Sequence, residues 1–208
     1  LTYSEQLNVV ADGNNADAPS LSVCIPTYNR AQLLGESLRS LLPQAHSAGI
    51  LVCVSDNASS DGTGQMLACL SHQYECLRYV VQPRNIGLEA NMLFAMSMAT
   101  TRYILPIGDD EILQGGGLAV ICRVLRERDI DLLMLQGHYT SHDLRRTLRA
   151  LLPPTLLGRI FNCPYDAFCE LWDKMPLGAF VMRTDALCAE GGAFSEHTMH
   201  TLGSYGDT

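Results

Sequence analysis

The stretch LSVCIPTYNR over residues 21–30 passes from a short, mostly apolar run into a polar turn, and that change decides the fold. Residues 21–25 have the length and composition of a buried strand, and the five residues after them carry turn and loop chemistry. Working outward, the same unit repeats. Residues 31–42 put Leu33, Leu34, Leu38, Leu41 and Leu42 on one helical face, with Pro43 as the expected stop. Residues 50–54 read as a second strand and 63–71 as a second helix. A third strand follows over 78–81, then a methionine-rich helix over 88–99, and strands at 103–107 and 131–135 enclose a helix over 118–128. Strands and helices alternating in this way predict an α/β domain, a parallel sheet covered by helices on both faces.

That topology says where ligands bind. In open parallel sheets they lie beyond the carboxyl ends of the strands, where loops lead into helices. The polar residues of this chain crowd into those loops: Pro26 to Arg30 after the first strand, Ser55 to Gly62 after the second, Pro83 to Gly87 after the third, and Gly108 to Glu111 after the fourth. The ordered domain is expected to begin near Leu21, because residues 1–20 are turn-rich and polar and read as a leader or linker. Residues 21–135 form the expected ligand-binding core, and 136–208 a second region of the same domain in which the alternation weakens.

Composition narrows the function classes. The 208 residues carry 14 basic and 22 acidic side chains, a formal net charge of -8, so the chain has no general electrostatic footprint for nucleic acid. An anionic ligand would need a local device such as a metal ion. The 8 cysteines show no C-x-x-C pair or clustered spacing, which favours reduced core thiols over a zinc site. No apolar run approaches the roughly 18 residues of a membrane span. The reading is a cytoplasmic protein, working in solution or at the inner face of the membrane. For that second place the motive is residues 144–161, where Arg145, Arg146, Arg149 and Arg159 alternate with leucines, a pattern suited to anionic lipid or a phosphorylated acceptor. A surface helix packing its leucines on the domain is the plainer reading.

Within the loops, Asp109, Asp110 and Glu111 are the sharpest feature. Three adjacent acids at a strand end repel one another unless a cation or solvent relieves them. Hard oxygen ligands suit Mg²⁺ or Mn²⁺, which take one or two carboxylates and complete their shell with water and substrate phosphate. Asp61 is suited to capping the following helix, whereas Asp56 stands too early for that and is free to accept hydrogen bonds from a base or sugar. Tyr28 can stack on a planar base, and Arg84 can meet a phosphate. Asn85 and Gly87 read as a turn into the third helix.

Taken together, the four strings resemble, in order and spacing, the family 2 glycosyltransferases of the GT-A fold, a Rossmann-like, mostly parallel sheet with helices on both faces. The resemblance is strong over residues 21–135. It implies that the loop of Pro26, Thr27, Tyr28 and Arg30 lies on the nucleotide, that Asp56 bonds the base, and that Arg84, Asn85 and Gly87 adjoin the nucleotide and donor sugar. It implies further that Asp109 faces the ribose and that Asp110, with Asp109 beside it, holds Mn²⁺ or Mg²⁺ on the diphosphate. One departure from the family pattern is Gly108, which stands where the first aspartate of a D-x-D motif would be.

The implied reaction is transfer of a sugar, with inversion, from a nucleoside-diphosphate sugar, UDP-sugar being the commonest donor type, to a saccharide or lipid-linked acceptor in envelope polysaccharide or glycolipid synthesis. The general base is expected after a strand at 179–182. Asp207 is favoured and Glu196 is the other candidate; Asp207 is followed by a single residue, so the acceptor-side region reads as incomplete. Two other readings stand beside this one: a non-catalytic nucleotide-sugar-binding module, and a nucleotidyltransferase. The last is disfavoured because no glycine-rich, Lys/Arg-bearing phosphate loop follows the first strand.

Overall fold

Seven consecutive buried residues, Leu21–Thr27, form the central strand β1 of the computed structural model, which describes residues 21–141, 146–171 and 178–185. The chain then runs α1 (Ala31–Ala48), β2 (Leu51–Asp56), α2 (Thr63–Gln73), β3 (Leu77–Val81), α3 (Leu88–Ser97), β4 (Tyr103–Pro106) and α4 (Gly117–Glu127). Strands β5 (Leu132–Met134), β6 (His138–Thr140) and β7 (Thr147–Ala150) follow, then α5 (Pro164–Leu171) and β8 (Phe180–Arg183). Six strands make one sheet in the order β3-β2-β1-β4-β8-β5. The first four pair in parallel, and β8 runs antiparallel to both β4 and β5. The sheet is thus mostly parallel, and its one reversed strand lies between β4 and β5.

A strand buried on both sides sends alternate residues to opposite faces. Leu21, Val23 and Ile25 meet Leu34, Leu38 and Leu41 of α1, Leu67 of α2 and Leu118 and Ile121 of α4 on one face. Cys24, Cys53 and Ile104 meet Ala95 and Met96 of α3 on the other. Truncating one of the large aliphatic side chains among them, Leu38→Ala for example, removes about 2–5 kcal/mol of stability. The thiols of Cys24 and Cys53 are core groups, as expected, and adjacency and burial raise the Cys24 pKa well above its ordinary value.

Two expectations need correction. Helix α1 does not stop at Pro43 but continues to Ala48. Pro43 lies on the exposed side, where its missing N–H is least costly, while Leu42 and Ala45 bury the turns around it. The stop is Gly49, left-handed at φ 65°, whose N–H reaches back to His46 O. Nor is the basic stretch a surface helix: its described part is β7, paired with β6 in a separate hairpin, and a 3-10 turn at Pro154–Leu156. The leader over 1–20, Arg145, Glu196 and Asp207 lie outside the described residues. Among the described residues, no helix is long and apolar enough to cross a membrane.

Candidate functional site

Because β1 to β4 are parallel, their carboxyl ends share one edge, and the loops leaving them are tied to one another by side chains. At the end of β1 the chain turns at Asn29, a residue that tolerates its φ of 52°. The Asn29 amide N–H donates to Ser59 Oγ (2.7 Å), and its side-chain Oδ1 accepts from the Ser60 N–H (2.8 Å). Asp61 caps two helices at once. Its Oδ2 accepts from the Ala31 N–H of α1 (2.9 Å), and its Oδ1 from the Thr63 N–H (3.2 Å) and hydroxyl (2.6 Å) of α2. The Ala31 N–H, ahead of the Thr63 hydroxyl, holds the Asp61 carboxyl below its ordinary pKa.

The second loop holds a buried acceptor. Asp56 is fully buried; its Oδ1 accepts from the Ser59 N–H (3.0 Å), but no donor meets Oδ2. Gly64 and Val81 lie beside Oδ2: a Cβ added to Gly64 would lie 3.7 Å from Oδ2 and 3.5 Å from Val81 Cγ2. A buried carboxylate oxygen without a donor is costly, and the cost disappears once a ligand N–H fills the position. The next residue, Asn57, donates to Asn85 Oδ1 (3.0 Å) and the Gly87 carbonyl (3.2 Å), and accepts from the Ile86 N–H (2.8 Å). This fixes the turn carrying Arg84, Asn85 and Gly87 beside Asp56. Behind it, buried Asn91 accepts from the Ser55 hydroxyl (2.6 Å) and donates to the Ser55 carbonyl (3.0 Å), anchoring α3 to β2.

In the acidic loop the expected repulsion is relieved by specific partners. Asp109 is buried; Thr27 Oγ1 donates to its Oδ2 (2.7 Å), and Arg30 Nη1 to its Oδ1 (3.0 Å). The same Nη1 donates to Oδ2 of the exposed Asp110 (3.2 Å). Glu111 turns away and accepts from the Gly108 N–H (3.0 Å), and burial, more than the nearby Asp110, raises its pKa to about 7. The backbone of this loop is hung from α1, where Ser37 Oγ donates to the Glu111 carbonyl (2.7 Å) and Ser40 Oγ to that of Leu113 (2.6 Å). A Cβ at Gly108, where a D-x-D motif would have its first aspartate, would lie 2.9 Å from Asp110 Oδ1, so a side chain there would require the exposed Asp110 carboxylate to shift.

The donor set fits a divalent cation. Two carboxylates converge on a single cationic nitrogen, the chemistry Mg²⁺ or Mn²⁺ requires when phosphate oxygens and water complete the shell. Among the described residues no group of three His, Cys, Asp or Glu side chains is assembled for a metal, and Asp109 and Asp110 are the carboxylates that converge there.

The structure thus brings Pro26, Thr27, Arg30, Asp56, Asp109 and Asp110 together at one sheet edge. Tyr28, Arg84, Asn85 and Gly87 are exposed around it. Three contributors escaped the sequence reading: Asn57 as a clamp, Asp61 as the cap of α1, and Gly178. Gly178, at φ 85° just before β8, lies so close that any side chain there would collide with the Glu111 carboxylate. Asn57 and Asp61 stand inside a motif that could have flagged them. No local signal marks Gly178, which is 67 positions from its partner along the chain.

Comparison with known proteins gives a consistent result. A family model described as "Glycosyl transferase family 2" matches residues 22–183. An abequosyltransferase, RfbV, of Salmonella typhimurium is 34% identical over 126 residues, which are 60% of this chain and 38% of the relative. A GalNAc(5)-diNAcBac-PP-undecaprenol beta-1,3-glucosyltransferase of Campylobacter jejuni is 28% identical over 110 residues, 52% of this chain and 35% of the relative. The chain therefore spans well under half the length of these two proteins. Among solved structures, TarS of S. aureus in complex with UDP-GlcNAc superposes with a TM-score of 0.63 at 19% identity, over 81% of this chain and 46% of that one. The mannosyltransferase PcManGT of Pyrobaculum calidifontis, in complex with GDP-Man and Mn²⁺, gives 0.55 at 18% identity, over 90% of this chain and 53% of that one. At these identities the structures speak to the fold.

Proposed function

The chain belongs to glycosyl transferase family 2, and on that premise we propose that it carries the donor-binding machinery for moving a sugar from a nucleoside diphosphate, UDP for preference, to an acceptor hydroxyl with inversion. The observation that carries this reading is the unpartnered Oδ2 of fully buried Asp56. It is an acceptor held rigidly at the ligand edge of the sheet, and a base N–H is the donor that fits it. Tyr28 flanks the base, and Arg84 and the Asn57-clamped turn adjoin the diphosphate and sugar. Asp109 faces the ribose. Asp110, with Asp109, would hold Mn²⁺ or Mg²⁺, which when bound neutralises the charge developing on the departing diphosphate.

The acceptor oxygen attacks the anomeric carbon from the face opposite the diphosphate, forming the new C–O bond as the old one breaks. Its proton passes to a carboxylate, Asp207 for preference and Glu196 otherwise. Saccharide or lipid-linked acceptors of polysaccharide and glycolipid assembly fit this reading, in keeping with the undecaprenol-linked saccharide in the name of the Campylobacter jejuni relative. Cytoplasmic working at a membrane face belongs to it as well, through the basic stretch at 144–161.

Thermal denaturation with UDP, GDP and dTDP, each with and without Mn²⁺, tests the donor site, since a ligand that binds the folded chain raises its Tm. UDP with Mn²⁺ is expected to raise Tm in the parent and to lose that effect in Asp56→Ala, which removes the lone acceptor. If no nucleotide moves Tm, or if Asp56→Ala responds like the parent, the reading is overturned.

A further inference from the structure

The same nitrogen of Arg30 lies 3.0 Å from Asp109 Oδ1 and 3.2 Å from Asp110 Oδ2, at the point where both carboxylates converge. Thr27 Oγ1 already satisfies the other oxygen of Asp109, so the oxygen that Arg30 holds is the one turned toward Asp110. The guanidinium side chain is half exposed and so is the Asp110 side chain, whereas that of Asp109 is only 7% exposed. One partner is fixed, and the other two are free to move.

We propose that Arg30 is a built-in cation that occupies the carboxylate pair before donor arrives and exchanges onto the donor diphosphate when a divalent cation takes its place. This rests on the reading of Asp110 and Asp109 as metal ligands. The argument is one of charge and space. With Arg30 in place the two carboxylates carry one compensating charge, and the loop folds without a metal. A dication and a guanidinium drawn to the same two carboxylate oxygens compete for them and repel each other, and the dication, with twice the charge, weakens the hold on Arg30. Once displaced, Arg30 has planar donors that match a diphosphate oxygen pair at the same sheet edge. Donor and metal are therefore linked through one side chain, each favouring the other because the diphosphate gives Arg30 somewhere to go. The linkage also protects the chain from binding metal unproductively, with no sugar nucleotide to activate.

The test uses Mn²⁺ alone, followed by calorimetry or by the EPR signal of the free ion, on the whole chain and on Arg30→Gln and Asp110→Asn. Arg30→Gln is expected to bind donor-free Mn²⁺ at least about fivefold more tightly than the parent, and UDP is expected to enhance Mn²⁺ binding less in this variant, as a coupling through Arg30 requires. In the unsubstituted chain, added Mg²⁺ with UDP should shift the Arg30 side-chain NMR resonances from their donor-free position, a readout that needs no variant to fold. Mn²⁺ binding that depends on Asp110 but is equal or weaker in Arg30→Gln overturns the exchange and leaves the metal reading standing. Mn²⁺ binding that ignores Asp110→Asn, or none at all even with UDP, overturns both.

Discussion

A glutamate that titrates near neutrality makes the acidic loop sensitive to pH. Glu111 is raised to about 7 chiefly by burial, against an ordinary carboxylate value near 4.5. A group with a higher pKa folded than unfolded binds more protons in the native state between those values, so its stabilising contribution is complete below about 4.5 and is lost as pH rises through 7. Glu111→Gln keeps an acceptor for the Gly108 N–H and removes the ionisation. Urea denaturation at pH 5 and pH 8 should show the parent losing about 1–3 kcal/mol more than this variant over that interval; parallel losses would refute the assignment. At this scale the sequence was partly legible. The repulsion among Asp109, Asp110 and Glu111 could be anticipated from their adjacency, but not its resolution, because Arg30, Thr27 and Gly178 reach the loop only once the sheet has brought distant segments together.

Elements are positioned here by shared caps as much as by the core. Asp61 accepts from the first turn of α1 and the first turn of α2, so one carboxylate ties the loop after β1 to the loop after β2. Asp61→Ala should cost about 1–2 kcal/mol at pH 7, the range for losing a helix N-cap, with the pair of helices pushing it to the upper end. Its folded pKa is lowered, so that contribution is present above the ordinary carboxylate range and disappears as pH falls through the folded value. Chemical denaturation of parent and variant should therefore differ at pH 7, and the difference should shrink as pH falls below the ordinary carboxylate range. The core strands and helices were readable because a strand buried on both faces is a short apolar run and helices such as α1 and α4 show a one-sided stripe. Pro43 misled for a definite reason: the rule that proline ends a helix assumes the next turn gains nothing by continuing, whereas Ala45 buries completely there. The reversal of β8 left no trace in composition, since a four-residue strand looks the same in either direction and only pairing with β4 and β5 sets the sense.

At the scale of the whole molecule, the excess of acid is unevenly spread. A net charge of -8 should hold the chain off an anionic surface, yet the β6–β7 hairpin and the turn after it expose Arg146 and Arg149 beside Leu148, Leu157 and Ile160, which are 60%, 51% and 67% exposed. Arg149 lies over the Tyr139 ring at 4.5 Å, while Arg159 is spoken for by Glu170. Among the described residues, Arg146 and Arg149 are thus exposed charges of this stretch that can meet lipid phosphate, and the leucines beside them can enter the headgroup boundary. If this face brings a lipid-linked acceptor to the donor site, the chain should sediment with vesicles containing phosphatidylglycerol and not with pure phosphatidylcholine. Binding should weaken as salt shortens the screening length. Each basic residue near such a surface contributes about 1 kcal/mol, so reversing both Arg146 and Arg149 to Glu should weaken binding by at least about tenfold. The UDP-induced rise in Tm expected above should not change, because the hairpin forms its own sheet apart from the strands that carry the candidate site's loops. Equal sedimentation of parent and double variant, or a variant that loses the UDP response as well, would remove this surface from the account and leave acceptor delivery to another part of the protein.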